Sequence, residues 1–202
     1  MTCPIFILAL DYIDLFYLHY PDKKTNKRDA ISYLHELKQA GKIKAIGVSN
    51  SSLDEIKEAN QDGWLDVVQD EYNLLNRDAE QELFPYLQEN NISFIPFFPL
   101  ASGLLTGKYQ ESFVFPEDDL RSKQAQFQGE SFKETVAKVN QLKPLAVKYN
   151  TNITNIVLSW YLMNDAISAI IPGAKQVGQV ADNMNVVVLE QTDFDMIDAL
   201  FS

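Results

Sequence analysis

An α/β fold built on a parallel sheet is what this 202-residue sequence predicts. Three observations predict it. Short apolar runs recur along the chain, longer segments of helical period separate them, and the runs are apolar almost throughout rather than alternating with polar residues. Continuous apolar runs mark strands that are covered on both faces. Their alternation with helices gives βαβ units and parallel strands.

Five strands are predicted, over 12–18, 43–48, 65–69, 93–97 and 166–171. The run over 43–48 is only moderately apolar and is assigned mainly by its place between two helical segments. A helix over 27–40 spaces Ile31, Leu34 and Leu37 by three, and Gly41 supplies its stop. The next, over 52–60, opens with a serine cap and carries Asp54 and Glu55 in its first turn, where the helix dipole favours acids. A third, over 79–89, aligns Leu83, Tyr86 and Leu87 before Asn90-Asn91. Further helices fall over 135–149, 154–163, 176–184 and 193–201, and Pro144 predicts a kink or break in the first of these. The stretch over 110–128 has no period and contains Pro116 and the acid run Glu117-Asp118-Asp119. It reads as a long functional loop or a mobile one.

Lys and Arg number 17 and Asp and Glu 28, a formal charge of −11. That balance argues against nucleic acid, whose phosphate backbone needs a basic surface. A single cysteine, Cys3, excludes a disulfide framework and a CxxC metal site. The apolar run over 4–10 lacks the basic flank of a signal peptide, and is far short of the roughly 20 residues of a membrane helix. A soluble chain in a reducing, cytoplasmic setting is expected, with no membrane partner.

In parallel α/β folds chemistry gathers at the carboxyl ends of the strands. Here each predicted strand delivers small, amide or polar residues to that end. The first runs into His19-Tyr20-Pro21-Asp22, the second into Ser49-Asn50, the third into Gln69-Asp70, the fourth into Phe97-Phe98-Pro99-Leu100-Ala101-Ser102-Gly103, and the fifth into Pro172-Gly173-Ala174-Lys175. This repetition is a stronger signal than any single motif.

His19, one of two histidines, reads either as a core or capping residue or as a hydrogen-bond donor that polarises a carbonyl. Ser49, Asn50 and Gln69 read either as turn and cap residues or as uncharged partners for a carboxamide. Phe97 reads as core or as a platform for a flat ring. His35, beside Glu36 in a helix, reads as a solvated-face residue. The segment Gly103-Leu-Leu-Thr-Gly107-Lys108 lacks the spacing of a phosphate loop, and no GxGxxG occurs. Gly173 to Gln179 is a turn running into a helix, where free N–H groups and Lys175 favour an anion.

These motifs carry a resemblance. The run DYIDLFYLHYPD resembles the fourth barrel strand of an aldo/keto reductase with its histidine, GKIKAIGVSN the fifth, VVQDEYNLLNR the sixth, FFPLASGLLTGKY the seventh, and IPGAK with QVADN the eighth strand and its coenzyme segment. The match runs from about Asp11 to the end. The resemblance implies a single domain over 1–202, a partial TIM (β/α)8 barrel of about five parallel strands with intervening helices. It further implies an oxidoreductase that uses NADP(H) to reduce the carbonyl of a small aldehyde or ketone. Carried over by position, His19 orients the carbonyl, and Ser49, Asn50 and Gln69 hold the nicotinamide carboxamide. Phe97 stands where relatives commonly stack a tyrosine on the nicotinamide ring. Leu100, Ser102 and Gly103 line the pyrophosphate, while Gly173, Lys175, Gln179, Asp182 and Asn183 face the adenosine end. Many relatives carry a basic residue at position 176 or 179. Both are glutamine here, which leaves Lys175 as the main candidate for a 2′-phosphate.

The aspartate, tyrosine and lysine that complete the family's tetrad belong to its first three βα units, which would precede residue 1. None of the nine tyrosines here stands in a matching context. The chain therefore reads as a fragment that is inactive alone, since loss of general acid catalysis costs about 10²–10⁴ in rate. Five of eight strands would leave open sheet edges, to be met by self-association or by a complementary amino-terminal half. A non-catalytic nucleotide-binding module, like the subunits relatives contribute to potassium channels, is the alternative function; an inactive gene remnant is a third.

Overall fold

The computed structural model describes residues 10–202. Cys3, and nearly all of the apolar run over 4–10, lie outside the described residues. The described residues divide into two compact units, one formed by 10–72, Arg77–Phe97 and Ala166–Ala169, the other by Asn73–Asn76, Phe98–Asp165 and Ile170–Ser202.

The first unit is a four-stranded parallel sheet of β1 (Ile13–Leu18), β2 (Ile43–Ser49), β3 (Val67–Glu71) and β4 (Ser93–Phe97), in spatial order β1-β2-β3-β4. Each strand lies beside its sequence neighbour, so the order has no reversal point of the doubly wound kind. Helices α1 (Lys27–Gln39), α2 (Leu53–Ala59) and α3 (Leu83–Glu89) make the crossovers. Local chemistry fixes their ends. Asn26 caps α1 by accepting from the Asp29 N–H at 3.0 Å, and Gly41 leaves it with φ +69°, which glycine adopts without steric cost. Ser52 and Glu55 form a reciprocal capping box on α2. Ile31, Ile46, Val48, Ile56, Val68 and Phe94 are buried in the core, and Tyr72 and Phe84 pack edge-on around Phe94. His35 is half-buried and stacked on Trp64 at 4.2 Å rather than standing on a solvated face.

The expected fifth strand over 166–171 does not form. Ile167 makes one isolated parallel bridge to Phe94, and the Ser168 N–H donates to the Phe94 carbonyl at 2.9 Å. Pro172 has no N–H with which to extend a ladder. The sheet of the described residues therefore has four strands where about five were expected.

The second unit is helical: α4 (Gly129–Asn140), α5 (Lys143–Lys148), α6 (Ile153–Tyr161), α7 (Val177–Asn183) and α8 (Gln191–Phe201). The helix predicted over 135–149 is broken, with Pro144 in the first turn of α5, where its missing N–H costs nothing. It also begins earlier, at Gly129. The aperiodic stretch over 110–128 contains two short 3₁₀ turns, Leu120–Lys123 and Ala125–Phe127. A ring cluster anchors it: Phe115 lies 5.2 Å from Tyr109, 5.1 Å from Phe127 and 5.8 Å from Phe132. Every residue of helix α6 except Thr154 is buried. There the Tyr161 hydroxyl donates to the Pro99 carbonyl at 2.8 Å and the Ser159 hydroxyl accepts from the Val187 N–H at 2.9 Å.

Candidate functional site

The residues expected to face a coenzyme fall into two sets. His19, Ser49, Asn50, Gln69 and Phe97 belong to the first unit; Leu100, Ser102, Gly103, Gly173, Lys175, Gln179, Asp182 and Asn183 belong to the second.

In the first unit the set sits at the carboxyl rim of the sheet. Ser49 ends β2 and is 1% exposed. Asn50 follows it with φ +54°, a left-handed conformation that asparagine tolerates better than most residues. This turn directs its amide backward, so that Nδ2 donates to the Ser49 hydroxyl at 2.9 Å and to the His19 main-chain carbonyl at 3.1 Å. Ser49 pairs in register with Gln69 on β3, and Glu71 with Phe97 on β4. His19, Ser49, Asn50 and Gln69 are thus gathered across three neighbouring strand ends, with Phe97 closing the fourth.

The His19 side chain is exposed, and its ring meets that of Tyr20 edge-on at 4.8 Å. The loop behind it is held from both ends. Asp22 accepts from the Lys24 and Thr25 N–H groups at 2.8 and 2.6 Å, which hold its carboxyl below the usual carboxylate range. Lys27, only 5% exposed, donates to the Asp22 carbonyl and, at 2.8 Å, to the Thr25 carbonyl, with Glu55 at 3.9 Å. Beneath the rim, Gly47 makes room for an aromatic ring: a Cβ there would lie 2.5 Å from Tyr17.

In the second unit the chain after β4 takes positive φ at Phe98 (53°), Ala101 (44°), Ser102 (54°) and Gly103 (93°). Non-glycine residues in this region store roughly 1–3 kcal/mol each, and such strain concentrates at ligand-binding turns. The Gly103 N–H donates to the Leu100 carbonyl at 2.8 Å. A Cβ on Gly103 would lie 2.9 Å from the Lys108 ammonium, so glycine admits that charge to the turn. Arg121 approaches the same turn. Its Nη1 donates to the Tyr109 hydroxyl at 2.7 Å and to the Ser102 carbonyl at 3.5 Å, and its guanidinium lies over the Phe115 ring. Asp119 grips Arg121 in a two-point pair at 2.9 and 2.5 Å. That pair, with a smaller contribution from Lys175, holds the Asp119 carboxyl down to about 2.

The aperiodic stretch thus proves to be an anchored loop that brings Arg121 to the Ser102 turn. Sequence reading missed Lys108, Asp119 and Arg121, and also Lys27. The one local signal for the loop was an acid two residues before an arginine. Beyond it, Gly173 has open space where a Cβ would stand. Gln179 bends back so that its Oε1 accepts from the Lys175 N–H at 2.7 Å and the Gln176 N–H at 3.2 Å. Asp182 is exposed, and Asn183 lines a mostly apolar cavity of about 300 Å³ with Leu158, Pro172 and Met184. Among the described residues no group of three or more His, Cys, Asp or Glu could hold a metal ion, and no helix is long and apolar enough to cross a membrane.

Comparison with known proteins supplies the class. The model of the aldo/keto reductase family matches residues 7–201. The chain belongs to the aldo/keto reductase family, a family of oxidoreductases that generally use nicotinamide coenzymes. It is 37% identical over 174 residues to the aldo-keto reductase YhdN of Bacillus subtilis, covering 86% of this chain and 53% of that one. It is 34% identical to the NADH-specific methylglyoxal reductase of Escherichia coli, covering 93% and 58%. A probable voltage-gated potassium channel subunit beta of Oryza sativa is 31% identical, covering 89% and 58%. Among solved structures, the glycerol dehydrogenase AKR11B4 of Gluconobacter oxydans superposes with a TM-score of 0.89 at 30% identity, covering 97% of this chain and 60% of that one. The chain spans 53% and 58% of the lengths of the first two relatives.

Proposed function

We propose that this chain is the coenzyme-binding and carbonyl-orienting portion of a nicotinamide-dependent aldo/keto reductase acting on small aldehydes or ketones. The observation that carries this reading is the Asn50 amide, which ties the Ser49 hydroxyl to the carbonyl of His19 at the rim of a parallel sheet.

The residues present suit the coenzyme. Ser49, Asn50 and Gln69 are uncharged donors and acceptors, so they match a carboxamide without forcing a charge into the site. Phe97 supplies a face for the nicotinamide ring. In the second unit Leu100, Ser102 and Gly103 offer a turn of strained backbone for the pyrophosphate, with Lys108 and Arg121 as its cations. NADP(H) is the form that the resemblance implies, and Lys175 is then its partner for the 2′-phosphate.

When bound, the nicotinamide supplies hydride to the carbonyl carbon. The part played by this chain is to orient and polarise. His19, exposed beside that ring's binding groups, donates from its imidazole to the carbonyl oxygen, so that developing negative charge meets a fixed dipole. A proton must then reach that oxygen. No tyrosine of this sequence stands in the family's context for that donor, so the 202-residue chain assayed alone is expected to bind coenzyme without turning over a carbonyl.

The test is a fluorescence titration of NADPH and NADH against the purified chain, repeated with His19→Ala. Saturable binding that survives His19→Ala supports the reading, and no saturable change with either coenzyme overturns it. Steady oxidation of NADPH on addition of methylglyoxal would overturn the statement that the chain alone is inactive. A second reading, a nucleotide-binding module without catalysis, is favoured by the likeness to a potassium channel beta subunit. It differs in that no added polypeptide would confer turnover on the bound coenzyme.

A further inference from the structure

The second unit contains a feature that bears on which coenzyme is preferred, and the inference drawn from it rests on the nicotinamide-dependent reading above. The turn from Gly173 into α7 is the place where the 2′-phosphate of NADP(H) would have to be met. Two of its main-chain donors are already used. Oε1 of Gln179 accepts from the Lys175 and Gln176 N–H groups at 2.7 and 3.2 Å. Those two N–H groups are therefore not free for a phosphate unless the Gln179 amide moves away.

Charge points the same way. Lys175 is the one basic residue over 170–202, and Asp182 adds an acid on α7, while Glu190 and Asp193 are paired with Lys148. Lys175 in turn lies within electrostatic reach of Asp119. The other two cations, Lys108 and Arg121, attend the Ser102–Gly103 turn. A doubly charged group attached to the ribose would meet one ammonium and a turn with two of its N–H groups taken, while Lys108 and Arg121 stand at the Ser102–Gly103 turn.

We infer that Gln179 is a specificity-determining residue that closes the turn before α7 to a 2′-phosphate, so that this chain binds NADH about as well as NADPH. The selectivity for NADP(H) drawn from resemblance is thereby removed, while the nicotinamide chemistry is unchanged.

Binding rather than turnover tests this. Calorimetric titrations of the full chain with AMP and with adenosine 2′,5′-bisphosphate isolate the 2′-phosphate, and fluorescence titrations with NADH and NADPH repeat the comparison on whole coenzymes. An advantage of less than about fivefold for the 2′-phosphorylated member of each pair supports the inference, as a cation committed to that phosphate is worth tenfold or so. A larger advantage in the unsubstituted chain overturns it. Gln179→Arg removes the capping oxygen and adds a cation, and it is expected to move the ratio about tenfold toward NADPH; an unmoved ratio also overturns the assignment of Gln179. Should that variant fail to fold by circular dichroism, the ratios of the unsubstituted chain still decide. Failure of all four ligands to bind overturns the nicotinamide reading itself and is distinct from preferential binding of NADPH.

Discussion

The amide of Asn50 reaches across from the end of β2 to the main-chain carbonyl of His19, at 3.1 Å. That contact makes the catalytic histidine of the family resemblance and the amide-bearing turn one mechanical unit. Replacing Asn50 by alanine should cost about 1–2 kcal/mol, from lost hydrogen bonds and an alanine held at positive φ. Asn50→Gly keeps the backbone comfortable and removes only the amide. Thermal melts should therefore rank Asn50→Gly above Asn50→Ala, while both should weaken coenzyme binding in a titration. Wild-type affinity in Asn50→Gly would show that the amide has no part in binding.

How much of this was readable beforehand divides along physical lines. Features set by local chemistry were legible: the serine–asparagine turn after β2, the glycine stop of α1, the serine cap of α2, and the kink or break at Pro144. Features that need distant partners were not. A strand over 166–171 looked as apolar as the others, yet only Ile167 finds a partner in β4, and apolarity cannot report that. Arg121 was invisible for a related reason. Its loop has no period, and its meeting with Ser102 depends on rings at 109, 115, 127 and 132 closing around it. Gln179 lies between these cases. A glutamine three residues after a helix start is a known local cap, and that pattern was present in the sequence.

The floor beneath the rim makes a second prediction. Gly47→Ala places a methyl 2.5 Å from ring atoms of Tyr17, and overpacking of this kind typically costs about 1–3 kcal/mol. Tyr17→Leu in the same chain should recover part of the loss, giving a coupling energy in a double-mutant cycle. Additive losses would place the clash elsewhere. The Tyr17 hydroxyl is buried with no hydrogen-bond partner among the described residues, and burial raises its pKa above 10. The folded chain thus favours the neutral phenol, and stability should decline as pH rises past the unfolded value near 10. Tyr17→Phe should remove that decline and leave neutral-pH stability unchanged or improved.

Lys27 makes a third. Its ammonium is buried against the carbonyls of Asp22 and Thr25, which shape the loop after His19. Lys27→Met keeps the length and apolar stem but leaves those carbonyls without their donor, a loss of about 1–3 kcal/mol. Chemical denaturation should show a lower midpoint at unchanged slope. Equal stability of the two chains would mean that water replaces the ammonium at no cost.

Acid and protease test the loop over 110–128 together. The Asp119 carboxylate, held to about 2 by its two-point pair with Arg121, has a folded pKa below its unfolded value near 3.8. A depressed carboxylate contributes stability that is complete above the unfolded value and is lost as pH falls through the folded one. The loop should therefore keep its protection at pH 5 and lose this contribution only between about 4 and 2. Arg121→Ala removes the pair, the Tyr109 contact and the reach to Ser102 in one step, so limited proteolysis at neutral pH should cut within 110–128 faster than in the unsubstituted chain. Arg121→Lys keeps the charge but not the planar fork, and should be cut at an intermediate rate. If both variants resist protease as well as the parent does, the ring cluster alone orders the loop, and the guanidinium is left free to serve a bound phosphate.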